Sequence, residues 1–183
     1  MLIKKYSPIW KQNFKDLKTE IQKTLFELDI KIEHIGSTSV VGLAAKPIID
    51  IDIIYFDELD FQKIKTQLSS IGYYHNGDQG IPYREVFKRQ DFIEKHPVLD
   101  KHIHHLYVCI NESNELKRHL FFRDFLRKND WAKKKYQNLK FEIAEEVNQD
   151  RKKYAALKEI RAKEWIQSIV DLAKKEKEKE KEL

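Results

Sequence analysis

Apolar residues recur at intervals of three and four through Trp10, Phe14, Leu17, Ile21, Leu25 and Leu28. That is the stripe of an amphipathic helix, and Pro8 is tolerated in its first turn. The period then changes. "IKIEHI" (30–35) and "IIDIDII" (48–54) are rich in β-branched residues and read as strands, while "FDELDFQKIKTQLSSIG" (56–72) reads as a helix ending at Gly72. A third strand is expected near 72–76, and after the turn-forming "NGDQGIP" two more, "YREVFKR" (83–89) and "HHLYVCI" (104–110). Beyond residue 114 helical spacing dominates: "LKRHLFFRDFLRKN", then Trp131 to Val147 with Leu139, Ile143 and Val147 in phase, then a segment through Tyr154, Leu157, Trp165 and Ile169. The pattern predicts one α+β domain over 1–173, with a small β-sheet between about 30 and 110 and a helical part from about 115 to 173. The final stretch "KKEKEKEKEL" (174–183) has no apolar face and is expected to be a fraying helix end or a disordered tail.

Composition narrows the class. The chain has 183 residues, enough for one sizeable core, and its ten Phe, eight Tyr and three Trp supply the aromatic mass for it. Charge is uneven: residues 1–110 hold 15 Lys/Arg against 15 Asp/Glu, so the whole formal +5 falls in the helical part. A basic helical flank beside a neutral sheet is fit to attract anions. The single Cys109 has no partner for a disulfide or a thiolate metal site, and no 18-residue apolar run exists, so a soluble cytoplasmic protein with no membrane partner is expected. Basic residues alternate with acidic ones without interleaved aromatics, which argues against nucleic acid.

One run breaks the apolar logic. Asp50 and Asp52 sit among isoleucines, and an unpaired buried carboxylate costs several kcal/mol, so the strand must expose that face or supply a counter-cation. Alternation puts both carboxyls on one face, with Ile49, Ile51 and Ile53 on the other. Their Cα atoms should lie ~6.7 Å apart, within reach of a common divalent cation. Upstream, Gly36, Ser37, Thr38 and Ser39 end one strand and lead into an expected short helix over 38–45. Gly36 permits close backbone approach, and free N–H groups at such a turn make a phosphate cradle.

A hydrophobic-Gly-Ser turn followed by an Asp-hydrophobic-Asp strand resembles the nucleotidyltransferase fold. The longer string "EHIGSTSVVGLAAKPIIDI" is similar to the GrpB family within it, as are "GIPYREVFK", "HHLYV", "FRDFLR", "YQNLK" and "YAALK". The chain differs from that family at Val41, where proline is usual, and at Tyr107, where a second histidine is usual. The resemblance implies that Ser37 contacts nucleotide phosphates and that Asp50 and Asp52 hold Mg²⁺, or Mn²⁺ or another divalent ion. It also implies a third acid on a later strand. In "HHLYVCI" alternation puts His105, Tyr107 and Cys109 on one face, so His105 takes that place as ligand or proton acceptor. Glu85 is the other candidate, with Arg84 beside it as a phosphate clamp.

Among the remaining basic residues, Lys46 is either a solvated lysine or a phosphate contact, and Arg123 and Lys140, which match family positions, are expected as phosphate contacts over the alternative of plain surface charge. His34 either orients the Gly-Ser turn or packs beside it. His102, His104 and His105 cannot all face one zinc ion in a strand. Two functions remain: a metal-dependent enzyme moving a nucleotidyl group from a nucleoside triphosphate to a small acceptor, or a nucleotide-binding module of the same fold without turnover.

Overall fold

The computed structural model describes residues 1–91 and 95–181. Helix α1 (Ile9–Thr24) leads into strand β1 (Ile30–Ile35), a single 3-10 turn (Ser37–Ser39) and strand β2 (Ile49–Tyr55). Helix α2 (Asp60–Ser70), strands β3 (Tyr73–His75), β4 (Arg84–Arg89) and β5 (His104–Ile110), and helices α3 (Asn114–Lys128), α4 (Asp130–Glu146) and α5 (Arg151–Lys181) complete the chain. The five strands form one mixed sheet in the order β1-β2-β5-β4-β3, in which only the β2–β5 pair is parallel.

The two faces of the sheet have different covers. Ile49, Ile51 and Ile53 of β2 join Leu106 and Val108 of β5 in the main core, under Trp10, Leu17 and Ile21 of α1 and Ile64 and Leu68 of α2. That face buries β-branched residues on both neighbours, as a central strand requires. Over the other face α3 lays Leu116 against Ile54 and Cys109, with Tyr107 and Leu120 at the edge. Helices α3 to α5 enclose a separate cluster that includes Phe125, Leu126, Tyr136, Ala162 and Ile169.

The segment between the Gly-Ser turn and β2 corrects one expectation. It is not helical over 38–45: after the 3-10 turn the chain runs irregularly, with Gly42 at φ +80° and Ala45 bridged to Lys4. Its apolar residues are spent on two different neighbours. Val40 and Leu43 enter the α3–α5 cluster, whereas Ala44 packs with Ile143 and Tyr154, so no single helical stripe is served. In the stretch expected to be a fraying helix end or a disordered tail, α5 continues through Lys181, with Glu180 bridged to Lys128 at 3.2 Å. Residues 182 and 183 lie outside the described residues. Among the described residues no helix is long and apolar enough to cross a membrane.

Candidate functional site

The end of β1 and the middle of β2 are adjacent antiparallel partners, with Ile35 opposite Asp50 and Glu33 opposite Asp52. This register sets the Gly-Ser turn directly against Asp50. Gly36 has φ +68° and ψ −174°, a conformation open essentially to glycine, and a Cβ there would overlap the Asp50 carboxylate. The turn is tied from within: Ser39 Oγ donates to Gly36 O at 2.7 Å, and Thr38 Oγ1 donates to Ile48 O at 3.1 Å. Since the Thr38 hydrogen is used, His34 Nε2–H donates to Thr38 Oγ1 at 3.0 Å. His34 is stacked on Phe14 with centroids 4.5 Å apart, and burial pushes its pKa down to about 4, which keeps the ring neutral near neutral pH. Both readings of His34 therefore hold together, since it packs and orients the turn.

Helix α3 clamps the same turn from outside. Arg127 donates from Nε and Nη2 to Ser39 O, and Arg123 donates to His34 O at 3.1 Å and to Glu33 at 2.6 Å. Arg123 was expected at a phosphate, but its guanidinium is committed to Glu33, Asp124 and the backbone. Lys140 of α4 is buried and donates to Ser37 Oγ at 3.2 Å and to Ala44 O.

Asp50 and Asp52 do share a face, yet that face is not exposed. Asp50 opens to the cavity described below, whereas Asp52 is 0% exposed beneath α3. The counter-charge comes from imidazoles. His105, opposite Asp50 in the parallel β2–β5 register, donates from Nδ1 to Asp50 Oδ1 at 2.8 Å. His119 of α3 donates from Nδ1 to Asp52 Oδ2 at 2.9 Å, and its Nε2 lies 3.2 Å from Glu115 Oε1. Burial alone would lower the basicity of His119, but the bonds and charges of Asp52 and Glu115 outweigh it and push its pKa up to about 9. Burial raises the Asp52 carboxyl against the pull of His119. Burial would also raise Glu115, which His119 and Arg118 instead hold well below its ordinary value. Asp52 Oδ1 is buried with no hydrogen-bond partner among the described residues.

Two candidates on β4 lie elsewhere. Glu85 pairs in register with Val108, which puts it on the core face, where it meets His75. It is on the side of the sheet opposite the aspartates. Arg84 faces the right way but stands under Tyr107, 5.1 Å from the ring centroid, and 4.0 Å from Glu115. It supports the Asp52 side and is not in the cavity wall. His104, as alternation requires, points away from His105, accepting or donating at Tyr73 Oη 2.5 Å away.

A cavity of about 820 Å³ opens beside Asp50, bounded by the Gly-Ser turn, His105 and helices α3, α4 and α5. Its wall carries seven Lys and Arg side chains, Arg118 and Arg123 of α3 and five from three other segments: Lys46, Lys140, Arg151, Lys152 and Lys158. Among the described residues none of the five has a carboxylate at salt-bridge distance, whereas Arg118, Arg123 and Arg161 all do. Burial first, then the charges of Lys158 and Arg151, lower the Lys46 pKa to about 8. Burial and Lys158 hold Lys140 well below its ordinary value. The Tyr136 oxygen, with Asp50 beyond it, outweighs burial and raises Lys158. Phe122, Tyr136 and Tyr154 add flat apolar surface to the same wall. Basic groups that outnumber the wall's two carboxylates, Asp50 and Glu159, form an anion site, and aromatic faces beside it suit a planar ring.

Sequence reasoning did not single out His119, Glu115, Arg118, Arg151, Lys152 or Lys158. One signal was present for the first two: Glu115 and His119 are spaced i, i+4, each directly before a leucine, the buried Leu116 and the half-buried Leu120, so a polar pair rides beside the packed side of α3. The cations of α5 had no such signal in a helix basic throughout.

The GrpB protein family model matches residues 1–171. Glutamate-rich protein GrpB of Alkalihalophilus pseudofirmus is 30% identical over 167 residues, covering 91% of each chain. UPF0157 protein YqkA of Bacillus subtilis is 30% identical over 170 residues, 93% of this chain and 46% of YqkA, so the chain spans less than half of that relative. Among solved structures, conserved protein GrpB from Enterococcus faecalis superposes with a TM-score of 0.76 at 31% identity, covering 95% of this chain and 98% of that one. Cid1 in complex with its short product ApU superposes with a TM-score of 0.50 at 13% identity, over 78% of this chain and 43% of Cid1, a likeness of fold alone. The fold is nucleotidyltransferase-like.

Proposed function

The chain belongs to the GrpB family, and we propose that its cavity binds a nucleoside triphosphate and transfers the nucleotidyl group to a small acceptor. The observation that carries this reading is the gathering of five basic side chains without acidic partners beside the Gly-Ser turn and across from Asp50. Such crowding is unfavourable until polyanionic charge enters, and a phosphate chain lying along Ser37, Lys140, Lys46 and Lys158 supplies it.

A divalent metal fits this site only in company with the nucleotide. Among the described residues no three acids, imidazoles or thiols gather to hold an ion by themselves. Asp52 Oδ1, however, is an unpartnered buried acceptor, and Asp50 faces the cavity. Magnesium is commonly held by one or two carboxylates with phosphate oxygens and water completing its shell. Asp50 and Asp52 would hold it, and it would neutralise charge on the phosphates.

The protein's own groups divide the remaining work. Lys140, Ser37 and Lys46 bind phosphate oxygens, and the aromatic wall receives the base. Asp50 accepts the Nδ1 hydrogen of His105, which leaves Nε2 as a proton acceptor toward the cavity. The acceptor hydroxyl gives its proton to that nitrogen as its oxygen bonds to the α-phosphorus. The bond to pyrophosphate breaks, and pyrophosphate leaves with the electron pair.

The burial of Asp52 favours a second reading, saturable nucleotide binding without turnover. Both are tested by screening nucleoside triphosphates with Mg²⁺ or Mn²⁺ for pyrophosphate release, alongside calorimetric binding. Release that disappears in Asp50→Asn supports transfer. Binding without release supports the second reading, and neither binding nor release defeats both.

A further inference from the structure

Resting on that reading, we propose that His119 is the positioning residue for Asp52, and that the third acid of this site is Glu115 on α3, acting through the imidazole and not from a strand of the sheet. The two aspartates are organised alike. Each gives one oxygen to a histidine Nδ1, Asp50 Oδ1 to His105 and Asp52 Oδ2 to His119, at 2.8 and 2.9 Å. Each keeps its second oxygen out of protein hydrogen bonds: Asp50 Oδ2 lies against Gly36, and Asp52 Oδ1 has no partner. A carboxylate fixed through one oxygen presents the other in a defined direction, which is how groups behind a ligand residue orient it.

The support behind His119 extends two further layers. Glu115 lies 3.2 Å from Nε2, and Arg118 grips Glu115 through Nε and Nη2, both at 2.9 Å. Arg84 stands 4.0 Å from the same carboxylate. Tyr107, opposite Asp52 on β5, covers the sheet side and packs on His119 with centroids 5.9 Å apart. Among the described residues the side-chain hydrogen bond that Asp52 receives comes from α3, while Glu33, its register partner on β1, is bound to Arg123. The third acid that the resemblance to the nucleotidyltransferase fold implies on a strand is here a helix-borne acid relayed through a ring, and Glu85 on β4 is turned to the core.

The test uses two amides that divide the work of the imidazole. Asparagine at 119 keeps a donor near the Nδ1 position, toward Asp52, whereas glutamine keeps one near Nε2, toward Glu115. Each protein is titrated with ATP in EDTA and again with Mn²⁺, with melting temperatures recorded and turnover measured where the wild type shows it. His119→Asn, which keeps the Asp52 bond but loses the link to Glu115, should lose about 10-fold of the Mn²⁺-dependent gain in ATP affinity, and His119→Gln, which loses the Asp52 bond, about 100-fold. Turnover should follow the same order, with the KM for ATP rising in step with the lost affinity. Equal behaviour of the two variants, or variants equal to the wild type, overturns the inference while leaving the function reading in place. A wild type whose ATP affinity does not respond to Mn²⁺ defeats the metal-assisted reading and this inference with it, since Asp52 would have no ligand to be positioned for.

Discussion

Gly36 and Asp50 occupy space that only a glycine and a carboxylate can share: a Cβ on Gly36 would overlap Asp50 Oδ2, and the backbone at Gly36 is in a region other residues avoid. Gly36→Ala should therefore cost about 2–3 kcal/mol and abolish ATP binding. In an Asp50→Ala background the same substitution should cost at least about 1 kcal/mol less, because the overlap is gone and only backbone strain remains. Urea denaturation of the four proteins checks this. Additive costs would mean that the two residues do not touch.

The α5 cations predict selectivity along the phosphate chain. Lys158 is one of the unpaired basic groups of the cavity wall. Lys158→Ala should weaken ATP by about 10-fold and AMP by less than about 3-fold, since a single lost phosphate contact is worth 1–2 kcal/mol. Isothermal titration with both nucleotides decides it, and equal losses would move the phosphate chain elsewhere.

Lys46 should make anion binding sensitive to mild alkali. Its folded pKa is lowered to about 8, so it is charged below that pH and neutral above it. ATP affinity in the wild type should fall by about 5-fold between pH 7 and 9.5, while Lys46→Arg, which stays charged, should show a flatter profile. Parallel profiles would assign the effect to another group.

Acid stability follows from two buried neutral imidazoles. Burial lowers His34 and His104 to about 4, against an ordinary 6.5. As pH falls below 6.5 the unfolded chain takes up protons that the folded chain refuses, so stability is full above 6.5 and declines toward 4. The gap corresponds to about 3 kcal/mol for each ring. Urea midpoints from pH 7 to 4 should fall accordingly, and His34→Gln should soften the slope.

Glu85 should be dispensable to ligand chemistry. It is paired with His75 on the core face. Glu85→Gln should leave ATP affinity and any turnover within about 2-fold of wild type while costing about 1 kcal/mol of stability. A selective loss of turnover would contradict its placement.

Local chemistry alone determined a good part of this protein. β-Branched runs located β1, β2 and β5, the three- and four-residue spacing located α1, and Gly36-Ser37 with Asp50-Ile-Asp52 located the site, because each of these signals is written within a few consecutive residues. Alternation even brought His105 to the side of Asp50, as the β2–β5 register confirms. The rest depended on which distant segments met. Glu85, the other candidate third acid, lies on the face opposite the aspartates, and the sequence could not show this because a strand's facing is set by its register with its neighbour, and one residue of slip exchanges the faces. Asp52 was expected in the open because its own strand contains no counter-charge. That charge arrives on His119, 67 residues later, when α3 packs Leu116 and Leu120 over the sheet. The cavity was equally out of reach, since Lys46, Lys140 and Lys158 gather only when three segments fold together. Periodicity tells a helix which side to bury, but which sheet face receives it is decided by long-range packing, and that choice turned an exposed pair of acids into one open carboxylate and one buried ion pair.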